Sequence, residues 1–213
     1  MVKIAPSILA CDLANLEKEV SDIEKAGAEL VHIDVMDGMF VTNISFGLPV
    51  VEALRKKSNM AFDVHLMIEK PERYATRFID AGADLLTFHI EACEDAESLL
   101  DTIRESGAMA AISVKPATPI ESVYPLLKKC DMVLIMTVEP GYGGQSFMPE
   151  MVEKITKLKA EIEEQGLDVM IQVDGGINAE TAKICREAGA DILVAGSSVF
   201  KSEDRKAAID ALR

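Results

Sequence analysis

Apolar residues recur along this chain in two alternating rhythms. Short apolar runs near residues 3–8, 30–35, 61–66, 85–90, 109–114, 132–137, 168–173 and 192–195 read as strands. Between them, at about 12–20, 47–57, 70–81, 96–106, 120–129, 149–165, 180–188 and 204–212, apolar positions fall at helical spacing. In the first helical stretch Leu13, Leu16, Val20 and Ile23 share a face, and Asp12 stands where an N-cap belongs. One junction repeats: Ala26-Gly27-Ala28, Ala81-Gly82-Ala83 and Ala188-Gly189-Ala190 each close a helical pattern and precede an apolar run. Glycine suits that place because it enters the left-handed conformation cheaply.

The strands are apolar throughout rather than alternating, and helices separate them, so the sheet is expected to be parallel and covered on its outer face. Eight such units in 213 residues favour a closed (β/α)8 TIM barrel, an α/β fold in one domain spanning 1–213, over a doubly wound sheet.

Composition narrows the partners. The chain is 49% hydrophobic and 27% charged, enough apolar material for a large core, and no run approaches the length of a membrane span. The formal charge of −14 repels nucleic acid and anionic membranes, so neither is expected as a partner. Cys11, Cys93, Cys130 and Cys185 are scattered without a CxxC pair, which predicts reduced thiols and a cytoplasmic protein. Ile8-Leu9-Ala10-Cys11 faintly resembles a lipoprotein cleavage box, but the apolar run before it is too short for a signal peptide.

Barrels of this kind carry their chemistry at the C-terminal ends of the strands. There the sequence is unusual: Ser7 after strand 1, His32 and Asp34 in strand 2, His65 in strand 3, His89 in strand 4 and Asp174 in strand 7. Residues two apart on a strand share a face, roughly 6.6 Å apart, so His32 and Asp34 both point into the barrel mouth. His65 joins them from the next strand and Asp174 from across the barrel. Two imidazoles and two carboxylates suit a divalent transition ion without selecting among Zn²⁺, Mn²⁺ and Fe²⁺. The plainer alternative is that each histidine is a satisfied core residue and each acid pairs with a lysine. The four together at strand ends favour the metal. His89 is either a further histidine near the ion or a residue supporting the ligands, with the second preferred.

Glycines form a second group. Gly175-Gly176 after strand 7 and Gly196-Ser197-Ser198 after strand 8 lie where barrels bind phosphate through backbone N–H groups. Gly141-Tyr142-Gly143-Gly144, after strand 6, forms a loop able to close over a ligand, and lacks the spacing of a dinucleotide fingerprint. Met36, Met67 and Met136 are either core filling or an apolar shell over the ion. Asp37-Gly38 reads as the turn closing strand 2, and Lys115 either approaches the substrate or is solvated, with solvation preferred. Two carboxylates facing each other across a metal suggest proton transfer on both faces of one carbon, Asp34 and Asp174 being the catalytic pair.

The stretches SILACD (7–12), VHIDVMDGMFVTNISFG (31–47), DVHLMIEKP (63–71), KPATP (115–119), MTVEPGYGGQSF (136–147), VDGGIN (173–178) and AGSSVF (195–200) resemble the ribulose-phosphate 3-epimerase family from first strand to last. The resemblance implies interconversion of D-ribulose 5-phosphate and D-xylulose 5-phosphate in the pentose phosphate pathway. By position it implies metal ligands at His32, Asp34, His65 and Asp174, and a proton acceptor and donor at Asp34 and Asp174. It places substrate contacts at Ser7, His65, Gly141, Tyr142, Gly143, Gly144, Asp174, Gly175, Gly176, Gly196 and Ser197. The cofactor so implied is a divalent cation (Zn²⁺, Fe²⁺, Mn²⁺ or Co²⁺), the ligand a small phosphorylated ketose, and the assembly a homo-oligomer.

Two positions depart from the family pattern: Thr42 stands where proline is common, and Lys115 where many bacterial members have asparagine. A sister activity, epimerisation of D-allulose 6-phosphate, uses the same ligands but less similar glycine stretches. A decarboxylase on the same barrel would want a lysine among the aspartates of 34–37, which is absent. A barrel that merely binds phosphosugar would not need Asp174.

Overall fold

Alternating strands and helices close into a parallel barrel in the computed structural model, which describes residues 2–213. The strands are β1 (Lys3–Pro6), β2 (Leu30–Met36), β3 (Ala61–Met67), β4 (Leu85–His89), β5 (Met109–Val114), β6 (Met132–Met136), β7 (Met170–Asp174) and β8 (Ile192–Ala195). They pair in parallel in the order β1-β8-β7-β6-β5-β4-β3-β2. The ring closes between β1 and β2 at a single parallel bridge, Ser7 to His32. The seam thus lies beside the polar strand ends.

The helices are α1 (Leu16–Lys25), α2 (Leu48–Arg55), α3 (Ala75–Asp80), α4 (Ala96–Glu105), α5 (Met151–Glu164), α6 (Ala179–Ala188), α7 (Ser197–Phe200) and α8 (Arg205–Asp210). The repeated junction behaves as expected: Gly27, Gly82 and Gly189 have φ of +91°, +119° and +113°.

Two helical expectations shift. Asp12 caps a short 3-10 turn, Leu13–Asn15, and α1 begins only at Leu16. The crossover after β5, Ile120–Lys129, is 3-10 rather than α. Pro125 lies inside it, and proline removes a backbone donor and crowds the preceding turn. The apolar spacing still serves, since Ile120, Val123 and Leu127 are buried.

Side-chain parity divides the barrel into two apolar regions. Outward residues such as Ile4, Ile33, Val64 and Leu86 pack under the helices in the main core. Inward residues at the N-terminal end of the strands, among them Leu30, Leu85, Ala111, Met132 and Ile192, plug the barrel. Above that plug the inward positions turn polar: His32, Asp63, Thr87, Ser113 and Gln172 are all fully buried. A polar layer on an apolar floor gives the C-terminal mouth its chemistry.

Candidate active site

The register of β2 on β3 sets two side-by-side pairs, His32 with Asp63 and Asp34 with His65. Asp174, at the end of β7, completes the cluster from across the barrel. One ligand atom from each of His32, Asp34, His65 and Asp174 lies within 4.8 Å of all the others. His32 Nε2 and His65 Nδ1 each stand 3.3 Å from Asp34 Oδ1, and 3.9 and 4.0 Å from Asp174 Oδ2.

A tetrahedral cation with bonds of about 2.0–2.2 Å separates its ligand atoms by about 3.3–3.6 Å, which the two contacts to Asp34 meet, while those to Asp174 are wider by a few tenths of an ångström. A second observation agrees. His32 Nδ1 lies 2.7 Å from Asp63 Oδ2, so it carries the proton and donates it, leaving the Nε2 lone pair aimed at the cluster. Among the described residues, buried His32 Nε2 has no hydrogen-bond partner, which is unfavourable for a polar atom unless a cation answers it. These residues therefore fit a divalent ion.

Each member of the cluster is braced from outside it. Ser7 Oγ donates to Asp34 Oδ2 at 2.5 Å. Asp63 Oδ2 also accepts the Gln172 amide at 2.6 Å. His65 Nε2 lies 2.9 Å from His89 Nε2, and His89 Nδ1 lies 3.3 Å from Glu91 Oε2. His89 thus stands behind a cluster member and outside the cluster itself, in the supporting place preferred for it. Asp63, Gln172 and Glu91 escaped the sequence reading. Their only signal was parity: Asp63 precedes His65 by two positions and shares its face.

Burial and charge drive the two catalytic candidates apart. For Asp34, burial alone would raise the pKa, but the facing His32 and His65 overcome it and hold the carboxyl well below its usual range. For Asp174, burial and then the negative charge of Asp34 push the pKa up to about 7. Burial opposes a charge on His32, yet Asp63 and Asp34 prevail and raise its pKa well above the ordinary value, so a proton and a cation compete for Nε2. Burial lowers His65, and lowers His89 to about 4.

An open cleft of about 610 Å³ lies over this cluster. Asp34 and Asp174 line it together with Ser7. Met36, Met67 and Met136 form part of its wall, so they are both buried core and the apolar lining of the site. The glycine stretches line it too: Gly141, Tyr142, Gly143 and Gly144 on one side, Gly175, Gly176, Gly196 and Ser197 on another. His32 and His65 are wholly buried and are not among its lining residues, so the site residues fall into a lining set and a buried set.

Gly176 has φ +67°, and a Cβ there would collide with the backbone nitrogen of Phe147. The chain after β7 therefore packs directly on the loop after β6. Asn178 then caps α6, accepting from the Glu180 and Thr181 N–H groups at 2.9 and 3.1 Å. Asn43 ties the glycine loop to the segment after β2 by donating to the Gly141 carbonyl at 3.2 Å.

Asp37 makes the expected turn, accepting from the Met39 and Phe40 N–H groups at 2.8 and 3.0 Å. Thr42 is exposed on that loop. Lys115 is half-buried and does not line the cleft; its Nζ lies 3.7 Å over the Phe40 ring, which packs against His89.

The model of the Ribulose-phosphate 3 epimerase family matches residues 3–200. The ribulose-phosphate 3-epimerase of Bacillus subtilis (strain 168) is 48% identical over 214 residues, covering 100% of this chain and 99% of that protein. That of Schizosaccharomyces pombe is 45% identical over 214 residues, covering 99% and 92%. Among solved structures, a 3-hexulose-6-phosphate synthase superposes with a TM-score of 0.73 at 17% identity over 99% of this chain and 98% of the other. KGPDC from Streptococcus mutans gives 0.70 at 14% identity, covering 100% and 95%. At such identities the superpositions speak for the barrel fold alone.

Proposed function

This chain belongs to the ribulose-phosphate 3-epimerase family and is an isomerase, and on that premise we propose that it inverts C3 of D-ribulose 5-phosphate to give D-xylulose 5-phosphate. The observation that carries this reading is the pair of carboxylates, Asp34 and Asp174, brought together in one cleft around one candidate cation position. Asp34, ionised, removes the C3 proton, and the Ser7 hydroxyl on its second oxygen steadies it. Asp174, holding a proton near neutrality, delivers it to the other face of the carbon. Turnover leaves Asp34 protonated and Asp174 ionised, the state suited to the reverse reaction. Exchange with solvent resets it.

His32, Asp34, His65 and Asp174 would hold a divalent cation (Zn²⁺, Fe²⁺, Mn²⁺ or Co²⁺), whose Lewis acidity would stabilise the negative charge developing on the sugar oxygens. The three methionines keep water from that charge. Backbone N–H groups at Gly175, Gly176, Gly196 and Ser197 take the phosphate, which gives this acidic protein a local means of holding an anion. Tyr142 and the flanking glycines close the cleft. Four free thiols suit a cytoplasmic protein.

A coupled assay comparing D-ribulose 5-phosphate with D-allulose 6-phosphate tests the reading. Higher kcat/KM for the pentose is expected, and preference for the hexose would replace it with the sister activity. A strong chelator should abolish turnover and added divalent ion should restore it; an unchanged rate in metal-free protein would remove the cation from the account.

A further inference from the structure

We infer that Glu91 acts through His89 as a positioning residue that decides which nitrogen of His65 is free to face the cluster. The inference rests on the reading that His65 Nδ1 serves a cation. Both imidazoles are fully buried, and their Nε2 atoms lie 2.9 Å apart. A hydrogen bond between two neutral rings has one donor, so the pair has two arrangements.

In the first, His65 Nε2–H donates to His89, which leaves a lone pair on His65 Nδ1 at 3.3 Å from Asp34 Oδ1, an arrangement that a cation shared by the two atoms stabilises. His89 must then carry its proton on Nδ1, where Glu91 Oε2 accepts it at 3.3 Å. In the second, every proton is reversed. His65 presents Nδ1–H to Asp34, and His89 turns a bare lone pair toward the Glu91 carboxylate, two acceptors face to face. Glu91 is fixed in the role of acceptor from its far side, where Oε1 takes the Lys115 N–H at 2.8 Å and the Thr118 hydroxyl. A chain of donors therefore runs one way, from His65 through His89 to Glu91. The Phe40 ring packs 4.8 Å from His89 and covers the middle link.

Glu91→Gln keeps the shape and changes only the protons. With its oxygen still taking the Lys115 N–H, the new amide presents NH₂ to His89 and reverses the chain. The test is ¹⁵N NMR of histidine-labelled full-length protein at pH 8, with Zn²⁺ affinity measured by competition with a chromophoric chelator. In the native chain His65 should be protonated on Nε2 and His89 on Nδ1. In Glu91→Gln both should switch, and the Zn²⁺ Kd should rise about tenfold, the lower end for a residue supporting a ligand histidine. A native His65 carrying its proton on Nδ1 in metal-free protein would overturn the inference, and needs no variant. So would a Glu91→Gln protein whose tautomers and Kd both match the native ones. A native chain that bound no Zn²⁺ would sink the cation reading, while the tautomers would still decide this one.

Discussion

Asp63 and His32 sit opposite one another on β3 and β2, joined by a 2.7 Å hydrogen bond inside the barrel. Asp63 takes the imidazole proton on one side and the Gln172 amide on the same oxygen, so the orientation of His32 is set from two strands. Asp63→Asn preserves volume but removes the charge that keeps His32 Nε2 free. Divalent-ion affinity should fall about 10–100-fold, read by chelator competition, with the fold retained by circular dichroism. Unchanged affinity would mean that Asp63 only fills space.

Asp34→Asn and Asp174→Asn should each lower kcat by about 10²–10⁴, the usual contribution of a positioned acid or base. Starting from D-ribulose 5-phosphate, washout of deuterium from C3 should stop in Asp34→Asn, which has lost the base, while Asp174→Asn should keep some washout without epimerisation, the protein staying folded in both. Full turnover in either variant would end the two-acid mechanism.

Gly176→Ala and Gly144→Ala separate strain from collision. Gly144 has φ +77° with open space at the Cβ position, so alanine there should destabilise by about 1–2 kcal/mol, the left-handed penalty alone. At Gly176 alanine adds a collision with the Phe147 backbone, and the loss should be larger. Urea midpoints give the comparison. A KM rise confined to Gly176→Ala would tie that segment to the substrate.

Glu91 governs part of the acid limb of stability. Burial would raise its pKa, but hydrogen bonds from His89, Thr118 and the Lys115 N–H lower it from 4.5 to about 2. A depressed carboxyl stabilises the fold above its unfolded value, and that contribution is lost as pH falls from about 4.5 through about 2. Glu91→Gln should therefore lose less stability than the native chain between pH 5 and pH 3. Parallel curves would assign the acid limb to other groups.

The barrel was legible because its signals are local. Strand runs and helical spacing repeat, and a polar residue at the end of an apolar strand stands out against its neighbours. His32, Asp34, His65 and Asp174 were conspicuous for that reason. Asp63 and Gln172 were not, since a single acid or amide within a strand has meaning only once its partner is known. The 3-10 crossover at Ile120–Lys129 went unread because its apolar spacing also suits an α-helix, and Pro125 prevailed.

The sequence by itself determined the alternation of elements, the C-terminal location of the chemistry and the four residues of the cluster, because period, parity and strand ends are properties of neighbours in the chain. Only the tertiary structure decided which nitrogen of His32 faces the cluster, that His89 stands behind His65, and that Asp34 and Asp174 meet in one cleft. Those outcomes depend on distances between residues as far apart in sequence as Asp63 and Gln172, and on shared burial that strengthens every charge within it.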